Sequence, residues 1–174
     1  MQPPPSIALI PATPDQAAEL CALTYRAKAS HGYDEAFMQL LRTDLQISDE
    51  QIAHDQIMLA VSDNQIQGYA HLKAHQRPDT LLLENLYVEP SVQGQGIGRR
   101  LFVWARSTAA EQGYAWLEWE SDPNAAAFYV RMGSEKIGET ESPIRAGRMI
   151  PRFRIATTST AGPSSLSNAD QQIG

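Results

Sequence analysis

The spacing of the hydrophobic residues changes along the chain. Between residues 17 and 30, and again between residues 34 and 47, leucine and alanine recur at three- and four-residue intervals, which predicts two successive helices. From residue 56 to residue 88 the apolar residues form short runs instead. These runs are interrupted at Asp63 and Asn64, and they predict a β-hairpin followed by a further strand.

The second half of the chain alternates between helix and strand. Residues 97–113 predict a third helix, residues 114–121 a strand, residues 123–133 a fourth helix and residues 134–156 two closing strands. With a short strand before the first helix, we predict an α/β fold. Its sheet is mixed and mostly antiparallel, with one parallel βαβ crossover around the third helix and with flanking helices.

Composition separates a domain from a tail. Residues 1–156 carry most of the large apolar residues and are expected to form one domain. Residues 157–174 are rich in serine, threonine and glycine, and this composition predicts a disordered polar tail.

Charge and cysteine content exclude several classes of function. The net charge of −6 argues against a nucleic-acid partner. The chain has no long apolar run and no secretory signal pattern, so we expect a cytoplasmic protein with no membrane partner. A single cysteine, Cys21, excludes an internal disulfide and a cysteine-based metal site. His71 and His75 share a strand face but have no third ligand nearby, so no metal is expected.

A glycine-rich stretch, VEPSVQGQGIGRR at residues 88–100, joins a predicted strand to a predicted helix. Backbone N–H groups and the positive end of the helix dipole meet at such a junction, which favours binding of a phosphate. Gly94, Gly96 and Gly98 allow a phosphate to approach the backbone closely. Arg99 adds positive charge in the first turn. The stretch therefore predicts a phosphate-binding loop.

Two familiar phosphate loops fit this stretch poorly. The ATP and GTP loop requires a Gly-Lys pair, which the chain lacks. The dinucleotide loop G-x-G-x-x-G matches Gly94 and Gly96, but Arg99 stands where the third glycine belongs. Glu118 supplies the acidic residue expected about 20 residues further on. A dinucleotide-binding oxidoreductase therefore remains the weaker alternative.

A third pattern fits better. Gln93-x-x-Gly96-x-Gly98 resembles the Q/R-x-x-G-x-G/A motif of the GCN5-related N-acetyltransferases, the GNAT superfamily. The later stretch DPNAAAFYVRMG, residues 122–133, is similar to a second signature of that family. In it, Asn124 and Tyr129 are five residues apart, where the family usually has about seven. The resemblance implies an N-acetyltransferase in which a primary amine attacks acetyl-CoA directly in a ternary complex.

The resemblance also implies which residues contact the cosubstrate. They lie at the end of the strand, in the glycine loop and at the start of the fourth helix: Leu86, Tyr87, Val88, Gln93, Gly94, Gln95, Gly96, Ile97, Gly98, Arg99 and Asn124. Among them, the Val88 N–H is expected to serve the oxyanion. Without catalysis, the same residues would make a CoA-binding regulatory module, which is the second alternative.

Two catalytic roles follow from the implied reaction. Tyr129 is the expected general acid, because a phenol is protonated at neutral pH and can donate to the leaving thiolate. Glu84 is the leading general base, because it interrupts an apolar strand on the face that regular alternation gives to Leu82, Leu86 and Val88. Glu118 and Glu120 on the next strand are alternative bases.

The amine acceptor, a small molecule or a peptide, is expected between the first two helices and the last strands. Residues expected to contact it are His31, Tyr33, Glu118 and Arg148. The resemblance also admits a homodimer, since members of the family often dimerise.

Overall fold

The structure, a computed structural model, describes residues 6–158. Within this range the chain forms seven strands and five helices. The strands are β1 (Ala8–Pro11), β2 (Gln56–Ser62), β3 (Gln65–Ala74), β4 (Thr80–Val88), β5 (Trp116–Glu120), β6 (Glu135–Glu141) and β7 (Met149–Ala156). The helices are α1 (Ala17–Ala29), α2 (Glu35–Asp44), α3 (Asp49–His54), α4 (Ile97–Glu111) and α5 (Ala126–Arg131).

All seven strands belong to one sheet, in the order β1-β2-β3-β4-β5-β7-β6. Only β4 and β5 pair in parallel, and α4 forms the crossover that connects them. Every other neighbouring pair is antiparallel. The predicted mixed sheet with one parallel crossover is therefore confirmed.

Helices cover both faces of the sheet. On one face, Leu101 and Phe102 of α4 pack in a buried cluster with Leu83 and Trp119 of the sheet. On the other face, α1 packs against β2 and β3 in a second cluster that includes Tyr69. Glycine at position 68 lets β3 and β4 approach closely, because a Cβ there would lie 2.7 Å from the Tyr87 carbonyl oxygen.

One helix of the structure was not predicted from the sequence. Helix α3 begins after Ser48, whose hydroxyl accepts a hydrogen bond from the Gln51 N–H, while the Gln51 side chain accepts one from the Ser48 N–H. This reciprocal capping box was visible as Ser48-x-x-Gln51, but the helix is too short to show a clear hydrophobic period.

The first residue after the predicted domain, Thr157, makes contacts with it. Thr157 is buried, and its hydroxyl donates to the Tyr114 carbonyl oxygen at 2.6 Å. The remainder of the predicted tail, residues 159–174, lies outside the described residues. No helix within residues 6–158 has the length and hydropathy needed to span a membrane.

Strand β4 contains a β-bulge at Glu84. Leu83 pairs with Leu72 and Asn85 pairs with His71, which leaves Glu84 without a partner on β3. A bulge changes the alternation of side chains along a strand.

The bulge overturns the face assigned to Glu84 from regular alternation. Leu86 and Val88 pack on the α4 side of the sheet, whereas Tyr87 packs on the α1 side. Glu84 lines a cleft together with Tyr87 and Leu82. The expectation that Glu84 shares a face with Leu86 and Val88 is therefore wrong, and only its grouping with Leu82 holds.

Candidate functional site

Strands β4 and β5 separate soon after they meet. Their parallel pairing runs from Thr80 to Leu82 on β4 and then stops, although β4 continues to Val88 and β5 to Glu120. A wedge therefore opens in the middle of the sheet, and we call it the β4–β5 wedge. Central strands seldom leave backbone groups unpaired, since each such group that lacks water or a partner costs free energy.

The backbone of β4 presents hydrogen-bonding groups to this wedge. The Glu89 N–H donates to the Gln67 carbonyl oxygen at 2.8 Å, so it faces β3. Because these groups alternate along a strand, the N–H groups of Val88 and Leu86 point the other way, into the wedge. The Gln93 side chain reaches the same edge and donates to the Val88 carbonyl oxygen at 3.3 Å.

The glycine loop lies at the wide end of the wedge. Gly94 and Gly96 adopt left-handed conformations with φ of +81° and +83°, and Gly96 is the N-cap of α4. Side chains rarely adopt this conformation, which explains the two glycines. Gly98 has another role: a Cβ there would contact Phe128 and Val88 at 3.5 and 3.6 Å, so the first turn of α4 sits between α5 and the end of β4.

The start of α4 is suited to an anion. Its first turn contains no acidic residue, and its N–H groups carry the positive end of the helix dipole. Arg99 is exposed beside it. Arg100 turns away, with its guanidinium donating to the Ile7 carbonyl oxygen at 3.3 Å.

Tyr129 lies beside the wedge on α5. Its ring is buried, and its hydroxyl has no hydrogen-bond partner among residues 6–158. Burial raises the pKa of this phenol above its ordinary value, and the neighbouring Tyr87 raises the pKa further. The hydroxyl therefore stays protonated. Four aromatic rings lie 4.8–5.9 Å from the Tyr129 ring, centroid to centroid: Phe102, Trp119, Phe128 and Phe153.

A cleft of about 710 Å³ opens beyond the wedge, on the α1 side of the sheet. Glu84 lines it, with one carboxylate oxygen 3.1 Å from the Lys73 ammonium. Tyr87 lines it as well, and its hydroxyl has no partner among the described residues. Burial and then the nearby carboxylates of Asp122 and Glu84 raise the pKa of Tyr87. The side chain of Tyr87 thus faces the cleft, while the sequence analysis considered only a contact with the cosubstrate.

Residues 53–134, which include β4, the glycine loop and Tyr129, match the family model for an acetyltransferase (GNAT) domain. The matched region, which covers 82 of the 174 residues, is therefore similar to the GNAT acetyltransferases.

Solved structures of GNAT proteins share the fold. A GCN5-related N-acetyltransferase from Rhodopseudomonas palustris has a TM-score of 0.73 at 21% identity, over 90% of this chain and 99% of that chain. The PaiA N-acetyltransferase from Thermoplasma acidophilum, solved in complex with coenzyme A, has a TM-score of 0.72 at 16% identity, over 87% and 99%. The yncA protein from Salmonella typhimurium, solved with its cofactor acetyl-CoA, has a TM-score of 0.65 at 16% identity, over 92% and 99%. No curated protein matches the sequence.

One charged cluster of this protein was not predicted as a unit. At the end of β5, Asp122 accepts from the Lys28 ammonium at 2.8 Å, from the Tyr33 hydroxyl at 2.7 Å and from the Asn124 N–H at 2.9 Å. The Arg148 guanidinium donates to the Tyr33 hydroxyl at 2.8 Å and lies 3.4 Å from the carboxylate. We call these five residues the Asp122 cluster. It joins α1, the loop before α2, the end of β5 and the segment before β7.

Electrostatics keep the Asp122 carboxylate ionised. Its side chain is only 6% exposed, and burial alone would raise its pKa. The charge of Lys28 and the hydrogen bonds from Lys28, the Asn124 N–H and Tyr33 together lower this pKa by more than burial raises it. The pKa of Asp122 is therefore held well below its usual range. A sequence signal existed at Asp122-Pro123, a typical helix start, but Lys28 looked like an ordinary surface residue of α1.

The remaining predicted residues have distinct environments. Asn124 directs its side-chain amide to Tyr33 and Asp122, at 3.0 and 2.9 Å, and so contributes to the Asp122 cluster. His31 packs edge-on against the Tyr33 ring, with ring centroids 6.1 Å apart. No group of three or more histidine, cysteine, aspartate or glutamate side chains suited to a metal ion occurs within residues 6–158.

The alternative bases differ in their partners. Glu118 is buried in the cleft wall and pairs with the Arg77 guanidinium, while Arg152 lies 3.9 Å away. Glu120 is exposed at the end of β5 and also lines the cleft. Glu118 thus faces two guanidinium groups, whereas Glu84 contacts one ammonium.

Replacing Asp122→Asn should lower the free energy of unfolding at pH 7 by about 3 kcal/mol, because it leaves two largely buried cations, Lys28 and Arg148, without their carboxylate. The folded-state pKa of Asp122 is lowered, so its stabilisation is fully present above the ordinary carboxyl pKa of about 4 and is lost as pH falls below it. Urea unfolding of the wild-type and Asp122→Asn proteins should be measured from pH 7 to pH 3. The difference between their free energies of unfolding should become smaller below about pH 4.

The matched control is Asp34→Asn at an exposed ion pair with Arg145, where asparagine remains a good N-cap and the loss should be smaller. A difference between wild type and Asp122→Asn that stays constant down to pH 3 would show that the charge of Asp122 does not stabilise the fold.

Proposed function

We propose that this protein is a GNAT acetyltransferase and transfers the acetyl group of acetyl-CoA to a primary amine by direct attack in a ternary complex. The β4–β5 wedge carries this proposal, because it connects an anion-binding loop at one end with a cleft containing a carboxylate at the other. The amine nitrogen forms a bond to the thioester carbon, the C–S bond breaks, and free CoA thiol and an amide leave. The neutral amine gives up one proton as the amide forms, and the departing thiolate receives one. An acceptor that arrives as an ammonium first gives up a further proton to the general base, which passes it to solvent.

The residues around the wedge fit acetyl-CoA. Side chains at Gly94 and Gly96 would project into open space in front of the loop, so their absence leaves room for the pyrophosphate against the N-terminus of α4. The β4 edge offers the backbone groups of Leu86 and the carbonyl oxygen of Val88 to the amides of the pantetheine arm. The Val88 N–H is the proposed donor to the oxyanion.

Loop residues from Gln93 to Arg99 complete the proposed site. Gln93 already contacts the wedge edge through the Val88 carbonyl oxygen. The proposed contact of Asn124 with pantetheine requires its side chain to leave Tyr33 and Asp122.

Glu84 is the proposed general base. Its carboxylate faces the cleft on the same side as Leu82, next to the point where β4 leaves β5. Its carboxylate pairs with the Lys73 ammonium at 3.1 Å, and both side chains line the cleft. An acceptor ammonium in a similar position would lose a proton to Glu84, directly or through a water molecule.

Tyr129 is the proposed general acid. Its hydroxyl has no internal partner that would hold the proton, and its raised pKa keeps the proton in place throughout the physiological range. It lies across the wedge from β4, where the thiolate would leave.

The acceptor is proposed to enter through the cleft. Arg148 and Glu118 line it directly, and Tyr33 reaches it through Asp122, with His31 behind Tyr33. The cleft wall carries charges of both signs, which suits a small or peptidic amine with further polar groups. A CoA-binding module without catalysis would use the same wedge, and only turnover separates the two functions.

Calorimetric titration should show micromolar binding of acetyl-CoA by the wild-type protein and none by Gly96→Glu, because the new carboxylate would occupy the phosphate site. Gly113→Glu is the matched control. Gly113 follows the other end of α4 with a φ of +85° and equally open surroundings, so the backbone strain is the same but the binding loop is untouched. Wild-type protein that is folded yet binds no acetyl-CoA would refute the proposal and would direct titrations to NAD and nucleotides.

Release of free CoA thiol, measured with spermidine, L-lysine, kanamycin and an alanine-initiated peptide, should identify an acceptor class. With that acceptor, Glu84→Gln should lower kcat/KM by roughly 100- to 10,000-fold, the usual range for a general base. Glu118→Gln and Glu120→Gln are isosteric controls on the neighbouring strand. A larger loss in either control than in Glu84→Gln would move the base to β5, and thiol release with none of the amines would favour the binding module.

Tyr129→Phe should lower kcat by roughly 10- to 1,000-fold while the dissociation constant for acetyl-CoA stays unchanged. Since burial raises the pKa of Tyr129, the wild-type kcat should not fall between pH 8 and pH 10 through loss of the Tyr129 proton. Phe128→Leu, on the same helix, controls for altered packing. Full turnover by Tyr129→Phe would remove this residue from the mechanism.

A further inference from the structure

A buried histidine lies directly behind the proposed base. His71 of β3 is completely buried and has two polar contacts. Its Nε2 lies 2.7 Å from a carboxylate oxygen of Asp55, and its Nδ1 lies 3.2 Å from the Asn85 side-chain nitrogen. The bulge creates the second contact, because it places Asn85 rather than Glu84 opposite His71. The proposed catalytic mechanism gives no role to Asp55, His71 or Asn85.

The donor and acceptor properties of these groups determine which atom donates in each of the two hydrogen bonds of His71. A carboxylate can only accept, so the Nε2 of His71 carries the hydrogen and donates to Asp55. The Asn85 side-chain nitrogen that faces Nδ1 can only donate, so Nδ1 is the acceptor in the second contact. Asp55 therefore selects the tautomer of His71, and His71 selects the orientation of the Asn85 amide.

The selected orientation leaves one group of Asn85 available. With its nitrogen held by His71, the amide has its oxygen Oδ1 on the other side, and that oxygen has no hydrogen-bond partner among residues 6–158. Asn85 is partly exposed and lines the same cleft as Glu84. An oriented carbonyl oxygen adjacent to the base can accept a hydrogen bond from an amine but cannot donate one.

We infer that the Asn85 Oδ1 binds the N–H of the acceptor amine beside Glu84, and that Asp55 and His71 are positioning residues that hold the Asn85 amide in this orientation. The assignment rests on the proposed amine acetylation. Glu84 removes one hydrogen of the amine, and Asn85 holds another, so the nitrogen lone pair is directed by two adjacent residues of one bulge. The contact forms with the bound amine before the reaction and persists during it, so it contributes mainly to acceptor binding.

The first test removes the acceptor oxygen. Asn85→Leu should raise the KM for the most active amine of the panel roughly 10- to 100-fold, as expected for a lost hydrogen bond to a polar substrate. The kcat and the KM for acetyl-CoA should stay within about twofold of wild type, because neither depends on this contact. A purely structural role for Asn85 would instead change kcat and both KM values together.

The second test separates the two nitrogen atoms of His71. His71→Gln keeps a donor near the Nε2 position but loses the Nδ1 acceptor, whereas His71→Asn keeps an acceptor near Nδ1. The amine KM should rise in His71→Gln and return toward the wild-type value in His71→Asn. His54→Gln, an exposed histidine next to Asp55, is the matched control and should behave as wild type.

The third test needs no substitution that could disturb folding. Long-range ¹H–¹⁵N spectra of the uniformly labelled wild-type protein should show His71 as the Nε2–H tautomer, with Nδ1 unprotonated. A proton on Nδ1 would overturn the inference, because the Asn85 amide would then turn its oxygen away from the cleft.

The outcomes distinguish this inference from the function on which it rests. Wild-type protein that acetylates an amine, combined with an unchanged amine KM in Asn85→Leu, would overturn the role of Asn85 and leave the acetyltransferase intact. Wild-type protein that binds acetyl-CoA but releases no thiol with any of the four amines would overturn both.

Discussion

The unpaired edge of β4 is the constraint on which the rest of the site depends. A strand in the middle of a sheet normally satisfies its backbone groups on both sides, but β4 loses its partner after Leu82. The groups left open at Leu86 and Val88 must be satisfied by water or by a bound molecule. An extended chain with amide groups of its own can satisfy them best, because it can pair with the strand edge as another strand would. The sheet is thus built to accept one additional strand-like ligand.

The bulge in β4 determines which side chains of this strand lie on each face of the sheet. After Glu84, the side chains of Leu86 and Val88 pack on the α4 side of the sheet. This packing holds the end of β4, and with it the wedge, next to the glycine loop. Glu84 and Asn85 face the cleft on the α1 side. One extra residue therefore places a carboxylate and an amide next to each other at the junction of the two binding regions. A regular strand would present only one of them to each face.

Much of the fold could be predicted from the sequence, because hydrophobic period and turn residues are local signals. The parallel crossover followed from the helix between two strands, and the glycine loop followed from residues 93–98. The bulge could not be predicted, since nothing within "LLLENLYV" marks which residue loses its partner on β3. The Asp122 cluster was missed for a related reason. Its members lie up to 120 residues apart in sequence, from Lys28 to Arg148, and only the tertiary fold brings them together.

The Asp122 cluster also explains how the cleft can keep its shape while β4 and β5 diverge. Beyond Glu118, β5 has no hydrogen bonds to β4, so the end of β5 needs another attachment on that side. Lys28 of α1 supplies it across the cleft, and Tyr33 and Arg148 extend it to the loop before α2 and to β7. An ionic contact suits this position, because apolar packing there would fill the cleft. The wedge thus stays open because the charged side chains of the Asp122 cluster hold the end of β5 in place of the missing backbone hydrogen bonds to β4.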